Sequence, residues 1–506
     1  MDGSGNPWLR ADVAIRGGSI AAVGRFGGAR AIRTIDAADR LVTPGFIDVH
    51  SHAAEGLSRP ELRQAQPALA QGVTTLVVNP DGGGPLDLAA QRNTLATGGI
   101  GPNVALLIGH GSVRRAVLED ANRPPTAEEL DRMKQLVRAA MQQGAFGLSS
   151  GLFYTPGSFA STEEVIALAR VAAGFGGVYT SHIRDEGNYN VGLVAAVDEV
   201  IRIADEAQLI GIVSHMKALG PESWGLATAA TVRLERARRR GVQVFADQYP
   251  YEASSTSLRA ALAPGGVEPT TDVVREHLER RGGPDAVVLA FFKPDPSLEG
   301  RTLAGIAKMR GVAPEVAAIE LMKQGNPSIV SFNMSEGDIR EIMTKPYTMA
   351  SSDGGLVLPA EGKPHPRDYG AFARRLGVYV RERGVIDLEF AIRSMTSLPA
   401  TVFGLDDRGA IRPGLAADIA VFDPALVRDR ATYADPHQLA EGMSYVLVNG
   451  VVVLDQGRFT DALPGRVLSR GVQRSFHIAQ ARGAFPFHVA QAFRPAAASA
   501  MCSAGF

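Results

Sequence analysis

Cysteine is almost absent. The one that occurs, Cys502, stands in the last few of 506 residues, so no intrachain disulfide can form and no thiolate cluster can bind a metal. Any metal centre must be built from histidine and carboxylate, and histidine is itself scarce, at ten residues. An excess of either charge is missing too. The 52 lysines and arginines stand against 53 aspartates and glutamates, a net charge of -1, which gives no field to hold a polyanion and argues against nucleic acid as a partner. No apolar run is long enough to cross a bilayer, and the opening MDGSGNPWLR has neither the basic nor the apolar segment of a secretory signal. These absences set the expectation of a soluble, cytoplasmic chain that does not contact membranes; whether it forms a homo-oligomer they leave open.

What is present is a repeat. The 45% of hydrophobic residues can fill one large α/β domain and an accessory domain. From residue 42 to 353 a short β-rich apolar run, a polar or glycine-rich break and a stretch of helical periodicity follow one another. The apolar runs are LVTPGFIDVHSH, VTTLVVNPD, NVALLIGH, AFGLSS, VYTSHI, LIGIVSHMK, VQVFADQ and YTMASSD. The intervening TAEELDRMKQLVRAAMQQG and STEEVIALARVAAGFG each open on Thr or Ser with a glutamate three residues on and close on glycine, the marks of a capping box and a helix stop. Alternation of strand and helix predicts parallel strands, and eight units predict an α/β fold of the closed (βα)8, TIM-barrel type. A doubly wound open sheet competes, but it would gather its ligand residues at one crevice. Here nearly every run ends on a polar residue: His50 and His52, Asp81, His110, Ser149, His182, His215, Asp247 and Asp353.

Outside the repeat, ADVAIRGGSIAAVG near the start and GAIRPGLAADIAVFDP with MSYVLVNGVVVLDQGRF later alternate as short strands between glycine turns. They predict a small β-sandwich domain drawn from both ends of the chain, residues 1–41 and 405–465. The barrel then takes 42–257 and 347–404. An insertion with its own helices fills 258–346, a lid or specificity element or else a packing appendage. Residues 466–506 carry no readable pattern.

In GFIDVHSH two of the scarce histidines stand one residue apart. Side chains at i and i+2 of a strand face the same way, so the imidazoles of His50 and His52 converge as a metal ion requires; a polar strand end is the plain alternative. His182 and His215 end successive runs, neighbours on one barrel rim, and can share an ion. Asp353 ends the eighth run, where a carboxylate can take a proton from attacking water and return it to a leaving amine, or else cap the loop before two glycines. Lys217 shares the face of His215, and Arg367 has the planar fork that grips carboxylates, although either residue alone reads as a solvated charge. Tyr251, Phe153 and Tyr154 offer an aromatic wall, or core. His110 and Arg114 in GHGSVRR read as support behind the site. DGGGP lacks the Lys-Ser/Thr ending of a phosphate loop, and His277, His437, His477 and His488 fall outside the strand-end pattern.

Taken together, GFIDVHSH, GVTTLVV, GLSSGLFYTPGSFASTEEV, SHIRDEG, VSHMKALG, DQYPYEASSTSL and ASSDGG with HPRDYGAFARRLG resemble the amidohydrolase superfamily over residues 2 to about 460. GLSSGLFY, SHIRDEG and HPRDYG resemble its N-acyl-D-amino-acid deacylase, or D-aminoacylase, branch. The resemblance implies a hydrolase that cleaves the amide of a small-molecule N-acyl-D-amino acid, releasing a carboxylic acid and a D-amino acid. It implies zinc (Zn2+) as cofactor, with His182 and His215 on a tightly bound ion and His50, His52 and Asp353 marking a second, weakly filled site. It assigns Lys217 and Arg367 to the substrate carboxylate. One position departs: the family's metal-binding cysteine after the second strand is here Asp81. A carboxylate is a harder ligand that can bridge two ions and accepts manganese (Mn2+) or cobalt (Co2+) better than a thiolate does; alternatively Asp81 is only the turn residue before the glycines. The rival readings are a cyclic amidase of the dihydropyrimidinase or hydantoinase kind, whose usual carboxylated lysine has no counterpart in AFGLSSG, and a catalytically silent barrel that only binds.

Overall fold

The computed structural model describes residues 1–26 and 31–470. Cys502, His477, His488 and all but the first five residues of the 466–506 segment lie outside the described residues. Parallel pairing of the apolar runs produces two arcs. Phe46–Ser51, Val73–Val78 and Asn103–Leu106 form one. Ile108–Gly109, Gly147–Gly151, Val178–His182, Gly211–Val213, Val244–Gln248 and Thr348–Ala350 form the other. The third run contributes to both, and the arcs meet where Leu107 N donates to Val78 O at 3.2 Å and Phe146 N to Leu106 O at 2.8 Å. The ring closes at a Ser51–Gly354 bridge, with Asp353 N donating to His50 O at 2.9 Å and His52 N to Gly354 O at 2.8 Å. Eight strands in one closed parallel ring make the expected barrel. Strands such as VTTLVV and VYTSH are buried along their whole length, as a sheet covered by helices on its outer face and filled by side chains within requires.

The first run is two strands, not one. Leu41–Pro44 leaves the barrel and joins a five-stranded antiparallel sheet beside Ile419–Phe422, followed by Met443–Val448, Val451–Asp455 and Arg458–Phe459. The chain crosses over at Gly45, where a Cβ would lie 2.2 Å from Thr74 Oγ1; only glycine permits that approach. The hairpin of Asp12–Arg16 and Ser19–Gly24 packs on this sheet through Ile20, Ile411, Ile419 and Leu447. Segments 12–24, 41–44 and 419–459 thus meet in the small β layer.

The insertion carries its own three-stranded antiparallel sheet, Ala253–Ser257, Ser328–Phe332 and Val287–Phe291, over a separate core that includes Leu278, Leu289, Leu303 and Leu321. It begins before residue 258, and Glu336–Met343, assigned to it by sequence, packs instead on the barrel helix Leu226–Arg239. Helical periodicity reveals that a face is buried but not against which core. Residues 464–467 run beside the third barrel strand through Ile100–Pro464 and Val104–Val467 bridges, and Arg92 Nη1 donates to Val467 O at 2.7 Å. Among the described residues no helix is long and apolar enough to cross a membrane.

The two helix starts read as capping boxes differ. At Thr126 the box forms, with Glu129 reciprocating. At Ser161 only half of it does: Ser161 Oγ accepts from Glu164 N at 3.2 Å, but the Glu164 side chain turns inward to His110 Nε2 at 2.9 Å and to Arg114. His110 and Arg114 are fully buried, and a buried cation takes the nearest carboxylate before a helix end does. His110 and Arg114 therefore brace a strand–helix joint and touch none of the strand-end donors.

Removing that carboxylate strands the Arg114 charge. Glu164→Ala is expected to lower the unfolding free energy by about 3–5 kcal/mol, and Thr126→Ala by clearly less, read as shifts of the urea midpoint; equal shifts would contradict the burial argument. Burial raises the Glu164 pKa, but His110 and Arg114 outweigh it and hold the carboxyl below its ordinary 4.5. The contribution is thus present above that pH and is lost on further acidification.

Candidate metal centre

Six of the strand-end side chains meet at one mouth of the barrel. His50 Nε2 lies 3.3 Å from Asp81 Oδ1 and 3.5 Å from Asp353 Oδ1. His52 Nε2 lies 3.4 Å from Asp81 Oδ2 and 3.1 Å from Asp353 Oδ1. His215 Nε2 is 3.5 Å from Asp81 Oδ1 and 3.0 Å from His182 Nδ1, which in turn is 3.9 Å from Asp81 Oδ2. Most of these spacings are long for hydrogen bonds. They suit the edges of a coordination shell, since tetrahedral bonds near 2.0–2.1 Å put neighbouring donors roughly 3.4 Å apart. His50 Nε2 and Asp81 Oδ1 are moreover occluded from solvent and have no hydrogen-bond partner. Two orphaned polar atoms cost about 1–3 kcal/mol each unless a cation lies between them, so this donor set fits a divalent ion.

Local structure explains the convergence. Asp81, His215 and Asp353 have φ of 55°, 34° and 51°, left-handed backbone that non-glycine residues rarely adopt. Each ends a strand by turning sharply at the rim. The Asp81 turn is held by Ser149, whose Oγ donates to Asn79 O at 2.7 Å and accepts from Gly82 N at 3.2 Å. It also rests directly on Gly109, where a Cβ would lie 2.2 Å from Gly83 O. Asp81 is therefore both a turn residue and a member of the donor cluster. Asp247 is not a donor: its Oδ1 accepts from His215 N at 2.8 Å and fixes the turn there. Asp48 ties the first strand to the last, accepting from His50 N at 3.2 Å and Ser352 N at 2.9 Å, and burial outweighs these bonds to push its pKa to about 6.

Glu186, within SHIRDEG, belongs to the site although it ends no strand. Glu186 Oε1 lies 2.9 Å from His215 Nδ1 and accepts from Lys217 Nζ at 2.5 Å. Lys217 Nζ also stands 2.7 Å from that Nδ1, so the Lys217–Glu186 pair engages Nδ1 from behind while Nε2 faces the cluster, as an outer partner of a metal-binding imidazole leaves it. The residue four positions after His182 was the available signal. Lys217 is thus already paired, and Arg367 likewise donates from Nη1 to Asp353 Oδ2 at 2.6 Å.

The cluster floors a cavity of about 630 Å3 lined in part by Phe153, Tyr154, Lys217 and Arg367. The Tyr154 ring lies tilted against His182, ring centroids 4.6 Å apart. Tyr251, expected in this wall, is behind it: its hydroxyl donates to Pro366 O at 3.3 Å and its ring meets His365. Tyr249 takes its place, its ring centroid 5.6 Å from Lys217 Nζ and 4.7 Å from Arg367 Cζ. The strand ends at Gln248 and Pro250 breaks the alternation that would have put both tyrosines on one face.

Charge inside is sharply partitioned. Burial opposes ionisation of Asp353, but Arg367 and His215 outweigh it and hold the carboxyl well below its usual range. Asp81 is held low in the same way, chiefly by His50. Burial also disfavours charge on His52, yet hydrogen bonds to Asp353 and Asp81 raise its pKa to about 9. Burial lowers His182 to about 4. Protonated His52 and His215, the latter raised against burial to about 10 by Asp353 and Glu186, balance the charge of the two ionised carboxylates.

A family model described as the amidohydrolase family matches residues 33–454. An N-acyl-D-glutamate deacylase of Alcaligenes xylosoxydans xylosoxydans is 39% identical over 93% of this chain and 95% of its own. A D-aminoacylase of the same organism is 37% identical over 93% and 96%. Among solved structures, the N-acyl-D-glutamate deacylase of Bordetella bronchiseptica, complexed with zinc and a phosphonate mimic of the tetrahedral intermediate, superposes with a TM-score of 0.82 at 38% identity, covering 92% of this chain and 97% of that one.

An ion taken up by this cluster must displace the protons on His52 and His215. Adding zinc to metal-free protein at pH 7 in weak buffer is expected to release protons, and affinity should rise with pH up to about 10; uptake without proton release would contradict the donor assignment. Asp81→Ala should lose metal on dialysis that the parent protein retains, and unchanged stoichiometry and affinity would remove Asp81 from the shell.

Proposed function

The chain belongs to the amidohydrolase family, and from that premise we propose that it is a metal-dependent deacylase that hydrolyses N-acyl-D-amino acids to a carboxylic acid and a D-amino acid. The carrying observation is the meeting of four imidazoles and two carboxylates at the C-terminal mouth of a parallel barrel, beside two buried cations. The D configuration is taken from the relatives. A cytoplasmic location goes with this reading, supported by the scarcity of cysteine.

His50, His52, Asp81, His182 and His215 would hold the metal, with zinc first by likeness to the zinc-complexed structure and manganese or cobalt admitted by the absence of a thiolate. When bound, the cation supplies Lewis acidity, polarising the acyl carbonyl and lowering the pKa of water. Asp353 points Oδ1 at the cluster and Oδ2 at Arg367. Kept ionised, it accepts the proton of the attacking water at Oδ1 and returns it to the departing amide nitrogen. Arg367 Nε is buried without a partner, a donor suited to the substrate's α-carboxylate, and Lys217 adds positive charge beside it. Phe153 and Tyr154 close the His182 side against water. A cyclic amidase is disfavoured because no lysine stands at the end of the fourth strand, where Ser149 holds the Asp81 turn instead. A silent barrel is disfavoured because an ionised Asp353 and orphaned donors are costly to keep without chemistry.

The test is a hydrolysis screen of N-acetyl and longer N-acyl derivatives of D- and L-amino acids with zinc, manganese or cobalt. Turnover of D derivatives is expected, and a folded, metal-loaded protein inert on all of them would defeat the reading. Asp353→Asn should lower kcat by roughly 1,000-fold or more while the protein remains folded; near-normal turnover would assign the proton transfer elsewhere.

A further inference from the structure

His365 lines the cavity and is 2% exposed, yet it ends no barrel strand and belongs neither to the donor cluster nor to the proton transfer. Both of its ring nitrogens are engaged by main-chain atoms. Nδ1 accepts from Arg367 N at 3.0 Å, and Nε2 lies 2.9 Å from Ala253 O. A backbone N–H only donates and a carbonyl only accepts, so these partners fix the neutral tautomer that carries its proton on Nε2. Burial, reinforced by the charge of Arg367, keeps the ring uncharged, with its pKa well below the ordinary 6.5.

The two partners belong to different parts of the fold. Arg367 opens the helix Arg367–Arg374, and its N–H is one that no helical carbonyl satisfies; Pro366 before it makes no side-chain cap. Ala253 begins the first strand of the insertion sheet, Ala253–Ser257. The imidazole therefore bridges that sheet to the backbone of the residue whose Nη1 holds Asp353 Oδ2 at 2.6 Å. Its ring is fixed by Tyr251, Tyr433 and Tyr249, which meet it edge to face with centroids 5.2, 5.3 and 6.0 Å away. The same loop is fastened to the sheet a second time, where Lys363 N donates to Ala290 O at 2.6 Å. Both anchors on the insertion are main-chain carbonyls, so its side chains can vary without loosening the bridge.

We propose that His365 is a positioning residue, a neutral splint that sets the place of Arg367 and, through the Arg367 fork, both the aim of Asp353 and the grip on the substrate α-carboxylate. This rests on the deacylase reading and deepens it by making the insertion sheet a support of the proton-transfer pair. The directional fork of a guanidinium loses its advantage when its base shifts, and a misplacement of about 1 Å costs roughly 100-fold in rate.

The experiment compares kcat/KM of the zinc-loaded protein for the N-acetyl-D-amino acid turned over fastest in the screen and for its α-carboxamide, in which a neutral amide replaces the carboxylate. The parent is expected to prefer the acid by roughly 100-fold, and a parent without that preference overturns the proposal. His365→Phe, which refills the aromatic box but makes neither bond, should bring the ratio below about tenfold and raise KM for the acid. A variant that is merely less stable loses both activities by one factor and keeps the ratio, an outcome that also overturns the proposal. His365→Asn, whose Oδ1 can still accept from Arg367 N, should retain more of the ratio than His365→Gln, which reaches only Ala253 O; this comparison decides where His365→Phe does not fold, and the reverse order or two parent-like ratios count against the splint. Added to Arg367→Lys, which has already lost the fork, His365→Gln should change the ratio by less than about twofold; full additivity would mean that His365 does not act through Arg367. A screen that finds no substrate defeats the deacylase reading instead. Calorimetric affinities for N-acetyl-D-glutamate and its α-carboxamide then decide: a preference for the acid that His365→Gln abolishes supports the splint, and an absent or unchanged preference overturns it.

Discussion

Two backbone hydrogen bonds between the first strand and the last, Asp353 N to His50 O and His52 N to Gly354 O, carry the rest of this structure. They close the ring, and among the residues that make them His50 and His52 are proposed metal ligands and Asp353 the proposed proton acceptor. Closure therefore sets the distance between His50, His52 and Asp353 directly, with no side-chain flexibility to absorb an error. Asp48 reinforces the seam by accepting from both sides of it. A parallel barrel can gather donors so widely separated in sequence because every strand delivers its C-terminal residue to the same rim.

Bringing so many ionisable groups out of water is tolerable only because their charges alternate. Three carboxylates at the mouth face positive groups: Asp353 faces Arg367 and Glu186 faces Lys217, while Asp81 faces the imidazoles. The same rule explains the joint behind the cluster, where Glu164 abandons its helix cap to serve His110 and Arg114. Left-handed backbone at Asp81, His215 and Asp353 costs about 1–3 kcal/mol apiece, a strain the surrounding barrel must hold. Strain and orphaned donors at one spot are the marks of a site arranged for a ligand rather than for stability.

The insertion divides labour with the barrel. The barrel supplies the donors and the proton acceptor from strand ends, whereas the cavity wall at Arg281 comes from an element with its own sheet and its own core. Such an element can change its lining residues without disturbing the ring, so chemistry and selectivity are physically separable here.

Much of this was legible in the chain itself. Period-two runs ending in His50, His52, Asp81, His182, His215 and Asp353 specify a rim of donors once eight parallel strands are inferred, because topology alone then decides where strand ends go. Asp81, at the position where the resemblance implies a cysteine, was equally plain. Other features depended on contacts between segments distant in sequence. The split at Gly45 follows from Thr74 pressing against it, the inward turn of Glu164 from Arg114, the exchange of Tyr251 for Tyr249 from the bend at Pro250, and the pairing of Lys217 from Glu186. In each case local pattern specifies that a side chain is apolar, charged or turned, and the partner that completes it arrives only when the ring closes. Sequence by itself determined the donors and their common rim; tertiary structure decided which charges were paired and which polar atoms, like Arg367 Nε, were left without a partner, since pairing depends on distances that no local period encodes.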